Sequence, residues 1–373
     1  MAFGVWVYGY GVLVEPIAEE TGWSDGLLGT TYGLSFLVSG FAGTAVGRAL
    51  DLRGSRLTFA TVALLSTAAL WVMASASSAW MFAITGPIGG GLVCAGGLYN
   101  ATSTVMVRLV PQHRAHAITA ITLWGAFAAP VFMPLMGWMV TRMGWRPTLR
   151  VLAICVGVAF LVAAFGVPDV RPEQRARPPL RSTLREVLDR PARRLTVLAS
   201  FLASAATAAI LVQQIPAMTD AGMTLSAAAT FAGARGLMHL AGRLPMPPLV
   251  VRFGARPTLR GAYLLMGVGA LLLINAGGAV QASTYVIVAG CGIGAMAAAE
   301  SIHAANVYDG PSLGTHLGVV GLLRGIGSAT GPAIGGILVD VSGTRTTTLV
   351  LCGAAGVAAA LILTRRAEPA KLN

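Results

Sequence analysis

Gly54-Ser55-Arg56, Gly144-Trp145-Arg146, Gly254-Ala255-Arg256 and Gly343-Thr344-Arg345 are four copies of one pattern, Gly-x-Arg. Successive glycines stand 90, 110 and 89 residues apart, and each copy falls between two long apolar runs. The first and third differ by 200 positions, the second and fourth by 199. Chance scatters tripeptides but does not place them in register. The chain therefore reads as two similar halves, each made of two similar quarters. In a membrane protein, nested symmetry of this kind marks a secondary transporter.

Composition puts the chain in a membrane independently of the repeat. Apolar residues make up 55% and charged residues 11%, with a mean hydropathy of +0.73. A soluble domain carries about 25% charged residues, so this chain lacks the polar surface to cover itself in water. The net charge of +12 comes almost wholly from arginine, since the one lysine is Lys371. Those arginines sit in short loops between apolar stretches, a topology signal rather than a nucleic-acid signature. Cys94, Cys155, Cys291 and Cys352 lie far apart inside apolar segments and read as packing residues. No basic n-region or cleavage site precedes the first apolar run.

Crossing a bilayer takes about 20 apolar residues. On that rule twelve segments are expected, at 2–17, 27–49, 57–76, 80–107, 117–141 and 148–167 in the first half. The second half supplies 196–218, 225–250, 258–277, 282–307, 316–339 and 346–364. Segment 1 is short and begins at Met1: either it spans poorly or it is truncated, with the true start upstream, and the second is favoured. Residues 168–195 carry eight arginines against four acids, with five prolines, and read as a solvated basic linker in which 182–186 starts a short surface helix at most. The expected domains are thus 1–167, the linker 168–195, 196–364 and a tail 365–373. Arginine bias places linker, tail and both termini in the cytoplasm of a multi-pass plasma (inner) membrane protein. The loops at Arg146 and Arg345 then fall outside and oppose the rule, the first most severely because Arg142 and Arg150 flank it.

Between segments 2 and 3 runs Gly47-Arg48-Ala49-Leu50-Asp51-Leu52-Arg53-Gly54-Ser55-Arg56. Gly47 would let two helices approach closely, Asp51 would cap a helix or pair with an arginine, and Arg53, Gly54 and Arg56 complete a candidate cytoplasmic gate latch. The stretch resembles the G-x-x-x-D-[RK]-x-G-[RK]-[RK] signature of the major facilitator superfamily, with Leu52 and Ser55 at two basic positions. The equivalent stretch of the second half has Pro247 for Gly47 and Val251 for Asp51, so the latch is expected to rest on the first half. Segment 11 holds glycines from Gly325 to Gly336 around Pro332, read as a surface for tight helix crossing.

Charges inside a membrane are costly and default to functional candidates. Segment 8 places Arg235, His239 and Arg243 at i, i+4 and i+8, on one helix face. An arginine fork in a low-dielectric cavity suits a carboxylate, and an imidazole offers a charge switch. Plainer readings are snorkelling for Arg243, an internal ion pair for Arg235 and neutral packing for His239. Glu300 in segment 10 and Arg324 in segment 11 are expected to pair across neighbouring helices, with Glu300 a second candidate proton carrier. His303 lies one turn beyond Glu300. The first half offers only the polar groups Tyr8, Tyr10, Tyr99 and Asn100, of which Tyr8, Tyr99 and Asn100 are candidate substrate contacts.

Over nearly its whole length the chain resembles the superfamily's monocarboxylate-porter and oxalate/formate-antiporter branch. The marks are Gly22-Trp23-Ser24, residues Gly47 to Arg56, Arg114-Ala115-His116-Ala117 and Gly144-Trp145-Arg146. Segment 8 is similar to the branch's acid-x-x-x-Arg motif, which gives Arg243 the role of holding the substrate carboxylate. His239 stands where the acid is expected, and the lysine that animal members carry in segment 1 has no counterpart. The resemblance implies an all-α membrane protein of twelve transmembrane helices in two six-helix halves. It implies a small organic anion, a monocarboxylate, as substrate, with protons as partner in symport, through a monomer in the lipid bilayer. A drug or metabolite exporter is the alternative within transport, and a non-transporting sensor a remote one. No nucleophile–base or metal constellation appears, so neither an enzyme nor a cofactor is expected.

Overall fold

The computed structural model describes residues 1–98, 101–102, 105–106, 109, 124–168, 180–308 and 313–364. Among these residues the regular structure is helical throughout. We number the twelve crossings in chain order. In the first half they are α1 (Tyr10–Thr21), α2 (Asp25–Leu52), α3 (Gly54–Ala74), α4 (Ala79–Gly97), α5 (Ala128–Met143) and α6 (Trp145–Gly166). In the second they are α7 (Pro191–Asp220), α8 (Leu225–Arg243), α9 (Ala255–Leu272), α10 (Ala279–Val307), α11 (Leu313–Ser342) and α12 (Arg345–Ile362). Nine of the described helices are long and apolar enough to span a bilayer. The exceptions have visible causes. A π-helical turn over Phe3–Tyr8 interrupts segment 1 before α1. Arginines occupy α8 and the first turns of α9.

The repeat is visible in the turns. Gly54, Gly144, Gly254 and Gly343 all have positive φ, from 69° to 86°, a conformation that favours glycine. Each lets a helix end and the next begin at once, with the arginine in the new helix's first turns. Helix pairing repeats too. Contacts of α3 with α6 and α2 with α4 recur as α9 with α12 and α8 with α10, and the halves meet at the related seams α2–α11 and α5–α8. One face of the molecule carries the linker; the opposite, far face carries the short loops. Ser24, Ser78, Thr224 and Thr344 cap helix starts on that far face, each accepting a backbone N–H.

Three expectations need correction. Residues 180–187 form a helix (Leu180–Val187) that is not merely solvated. Val187 is fully buried against Ala304, Tyr308, Val319 and Val320, at the linker-side ends of α10 and α11. Arg193 ties it down by donating to the Glu186 carbonyl (2.9 Å) and Asp189 (3.0 Å), and its guanidinium stacks 5.2 Å from the Tyr308 ring centre. Burial pushes the Tyr308 phenol up to about 12, so it stays a donor to the Val187 and Arg193 carbonyls, 3.4 Å from each. Segment 8 does not continue to 250: α8 stops at Arg243, Pro245 breaks the register, and a separate short helix runs Met246–Phe253. Gly47 does not sit at a close helix crossing. Among the described residues, a methyl group added there would meet no atom within 4 Å.

That open space has a counterpart at the far end of the same helix. Gly29 and Gly33 of α2 lie directly against the Pro332 and Ala329 carbonyls of α11, and Gly336 lies against the Asp25 carbonyl. Among the described residues, a methyl on Gly40 would come no closer than 3.8 Å, to Leu322, and one on Gly43 would meet nothing within 4 Å. The α5–α8 seam is likewise closed towards the far side, where Gly137 meets Ala229. The two halves are clamped at the far face, and α2 and α11 diverge towards the linker face.

Candidate functional site

Arg235 is wholly enclosed, on the inward face of α8. Two glycines put it there: a methyl added to Gly290 of α10 would fall 2.7 Å from the Arg235 carbonyl oxygen, and one on Gly294 would fall 2.6 Å from the His239 Cα. Backbone pressed on backbone leaves the side chains only the direction of α7 and the centre. Arg235 Nε donates to Gln214 Oε1 (2.8 Å), which also accepts from the Tyr285 hydroxyl (2.8 Å). Arg235 Nη1 is 2.7 Å from His239 Nε2. A guanidinium only donates, so this nitrogen of His239 accepts and carries no proton in this state. The expected face is real: Arg235 and His239 are bonded to each other along it.

What Arg235 lacks is a counter-ion. Gln214 supplies an oxygen but no charge, and among the described residues no carboxylate pairs with Arg235 or Arg243. Among the described residues, Arg235 Nη2 and Arg243 Nε are buried N–H groups without an acceptor. An uncompensated charge held away from water costs several kcal/mol. Internal ion pairing therefore does not explain Arg235. Tyr8, half-buried on the π-helical turn, lies in the field of both guanidiniums from the other half of the molecule. Its neighbours are structural: Trp6 donates to Ser35 (2.7 Å) and Tyr10 to the Leu28 carbonyl (2.7 Å).

A second polar cluster lies inside the C-terminal half, towards the linker face. Glu300 Oε2 is 2.6 Å from Arg324 Nη2, joining α10 to α11. Glu300 Oε1 accepts from the Tyr263 hydroxyl at 2.8 Å, Ser200 lies 3.4 Å from that hydroxyl, and Arg324 Nε reaches Ser204 at 3.3 Å. Glu300 is buried while Arg324 is partly exposed, so one end of the pair reaches an accessible space. His303 bonds to Thr196 (3.2 Å), outside this pair. The structure thus bonds Arg235 to His239, with Arg243 one turn further along α8, and pairs Glu300 with Arg324 in another place. Gly54 makes the α2–α3 turn, and Arg53 caps α2 through its backbone N–H. Arg56 lies 4.9 Å over the Phe165 ring. Tyr99, Asn100 and the run Arg114 to Ala117 lie outside the described residues, as does the side chain of Asp51. Sequence reasoning missed Gln214 and Tyr285; a buried amide in an apolar helix was the available signal.

The sequence profile of the Major Facilitator Superfamily matches residues 1–237 and 196–373. No curated protein sequence matches the chain. Among solved structures, a mutant of the nucleoside transporter NupG is similar at 12% identity, covering 97% of this chain and 95% of that one, with a TM-score of 0.82. The inward open conformation of the xylose transporter XylE from E. coli is similar at 15% identity, with 100% and 95% covered and a TM-score of 0.73. A bacterial homolog of the human lysosomal transporter Spinster, inward-facing and occupied, is similar at 15% identity, with 97% and 92% covered and a TM-score of 0.72. The chain belongs to the major facilitator superfamily, as a multi-pass membrane transporter with that superfamily's fold.

Proposed function

We propose that this transporter moves a small organic anion, a monocarboxylate, across the membrane by alternating access, in symport with protons. The observation that carries the anion is the enclosed Arg235, whose partners Gln214 and His239 leave its charge uncompensated. A carboxylate bound between Arg235 and Arg243 supplies the missing counter-ion and accepts the spare N–H groups. Tyr8 closes the site from the first half, with Tyr99 and Asn100 as further contacts. Proton coupling runs through Glu300 and Arg324 or through His239. Protonation of Glu300 releases Arg324, whereas His239 takes up a proton only after parting from Arg235. In this reading the domains are 1–167 and 196–364, the linker face and both termini are cytoplasmic, the membrane is the plasma (inner) membrane, and the protein works as a monomer. With that orientation, a state whose halves are packed at the far face and parted at the linker face is the cytoplasm-open one. In the opposite state Gly47, Asp51, Arg53, Gly54 and Arg56 close that face.

Uptake of a carboxylate panel into proteoliposomes, at two external pH values, tests the proposal. Acid-stimulated carboxylate uptake, lost in Arg235→Gln and Arg243→Gln, is expected. Uptake that survives both substitutions, or transport of neutral nucleosides or sugars alone, overturns the anion site. Glu300→Gln and His239→Gln tell the coupling groups apart by which one abolishes the acid stimulation.

A further inference from the structure

The two Gly-x-Arg arginines that oppose the charge rule hold different things together. Arg146 donates to Glu20 (2.7 Å) and to the Ala74 and Ala76 carbonyls (3.2 and 2.7 Å), all within the first half. Arg345 donates to Asp220 (2.7 Å) and Gln213 (2.6 Å) within the second half. The repeat relates these sets. Glu20 and Asp220 are 200 positions apart, Arg146 and Arg345 are 199, and each pair ties the start of the sixth helix of a half to the end of its first. Arg345 then does something that Arg146 does not. It reaches across to Asp25 at the start of α2, with Nη1 at 2.7 Å from one carboxylate oxygen and Nη2 at 3.4 Å from the other. Asp25 corresponds to Leu225 in the second half, so the opposite seam cannot form this bond. A second arm crosses the same seam: Asp340 of α11 accepts the backbone N–H of Gly26 at 2.8 Å. Its counterpart in the first half is Thr141, which bonds its own helix at Gly137.

We propose that Asp25–Arg345, with Asp340 on the α2 N-terminus, is a one-sided latch that holds the far face shut and must break for the transporter to open there. The Arg345 and Asp25 side chains are only 12% and 16% exposed, so solvent and salt screen the pair weakly. Both carboxylates also sit where α2 presents its unpaired N–H groups, which strengthens their hold on that end. The glycine contacts immediately below require the same closure, so the charges and the packing form and break together. Closure is thus carried by α2–α11, with α5–α8 following as an apolar seam.

The test is a spin-label distance measurement without substrate, so its outcome does not depend on the anion proposal. Labels at Ser77→Cys and Thr347→Cys, both exposed on the far face in opposite halves, report the seam in a background with the four native cysteines replaced by alanine. The parent protein is expected to give one short-distance population. Asp25→Ala and Arg345→Gln should each raise the ratio of long to short distances about tenfold or more. Arg146→Gln, which removes the same kind of interaction within one half, should leave the distances unchanged. If neither Asp25→Ala nor Arg345→Gln moves the distribution, or if Arg146→Gln moves it equally, the latch is wrong. Asp25→Ala leaves the Asp220 and Gln213 bonds of Arg345 in place, so it decides the matter should Arg345→Gln not fold.

Discussion

Gly33→Ala should push the protein out of the far-side-closed state seen here. The added methyl lands on the Ala329 carbonyl of α11, with the carbonyl carbon at 3.0 Å and the Cα at 3.4 Å. Those atoms are helix backbone and cannot turn aside. A relaxed C···O approach is about 3.3–3.6 Å, so α2 and α11 must part by something on the order of an ångström. Overpacking of this kind costs about 1–3 kcal/mol, and the state in which the seam is open does not bear it. The closed-to-open ratio should therefore fall by a factor of about 5 to 150. Hydrogen–deuterium exchange reads this directly, as faster exchange in peptides covering 25–36 and 327–342. Gly47→Ala makes the same chemical change in the same helix, at a site where the described residues leave nothing within 4 Å of the added methyl. In a helix alanine is favoured over glycine by about 0.5–1 kcal/mol, so Gly47→Ala should leave far-side exchange unchanged and thermal stability equal or higher. Folded Gly33→Ala protein with parental exchange refutes the reasoning. So does Gly47→Ala protein that opens the far side as much.

Gln214→Glu should keep the fold and stop anion transport. The new carboxylate occupies the position 2.8 Å from Arg235 Nε and supplies its counter-ion, so carboxylate uptake should drop at least about tenfold while the melting temperature holds or rises; parental uptake would show that the charge of Arg235 is not kept for a substrate. Arg146→Gln should lower thermal stability by about 1–3 kcal/mol through loss of Glu20 and two carbonyl partners, and a melting curve superimposable on the parent's would contradict that. Val187→Asp buries a charge among Ala304, Tyr308, Val319 and Val320 and should release the linker helix. Trypsin should then cut after Arg181 and Arg185 several-fold faster, and unchanged cleavage would mean that the helix is not held by that contact.

The architecture was legible because its causes are local and repeated. Four glycines at positive φ had to recur wherever one helix hands over directly to the next, and apolar runs of spanning length had to lie between them. The face shared by Arg235 and His239 followed from helical spacing alone. Glu300 and Arg324 were the obvious partners, since two opposite charges in neighbouring apolar segments cost least together. Three other features depended on where helices go rather than on what they are. Gly47 suggests a contact because glycine in a helix usually marks one, but which end of α2 is closed is a property of the conformational state. The hold of the linker helix rests on Val187, one apolar residue in a basic stretch, whose burial needs the α10 and α11 ends to be in place. Gln214 carries no charge, so its place beside Arg235 has no electrostatic signature in the sequence.

The far-face arginines show how a rule and its exception share a cause. Arginine bias sets topology because a cation free to seek water and lipid phosphate favours one side. Arg345 is not free. It is held by Asp25, Asp220 and Gln213 through bonds of 2.6–2.7 Å, and Arg146 by Glu20 and two carbonyls. The repeat offset that relates the glycines also relates Glu20 to Asp220, so the within-half pairs were recoverable from sequence by the same arithmetic. The crossing bond was not, since Asp25 and Arg345 are 320 positions apart and related by no repeat. A pair that arises from duplication appears twice and stabilises each half; a pair that breaks the duplication appears once and lies between them. Only the second kind changes when the halves move, so departures from the repeat are the place to look for gating in a chain built this way.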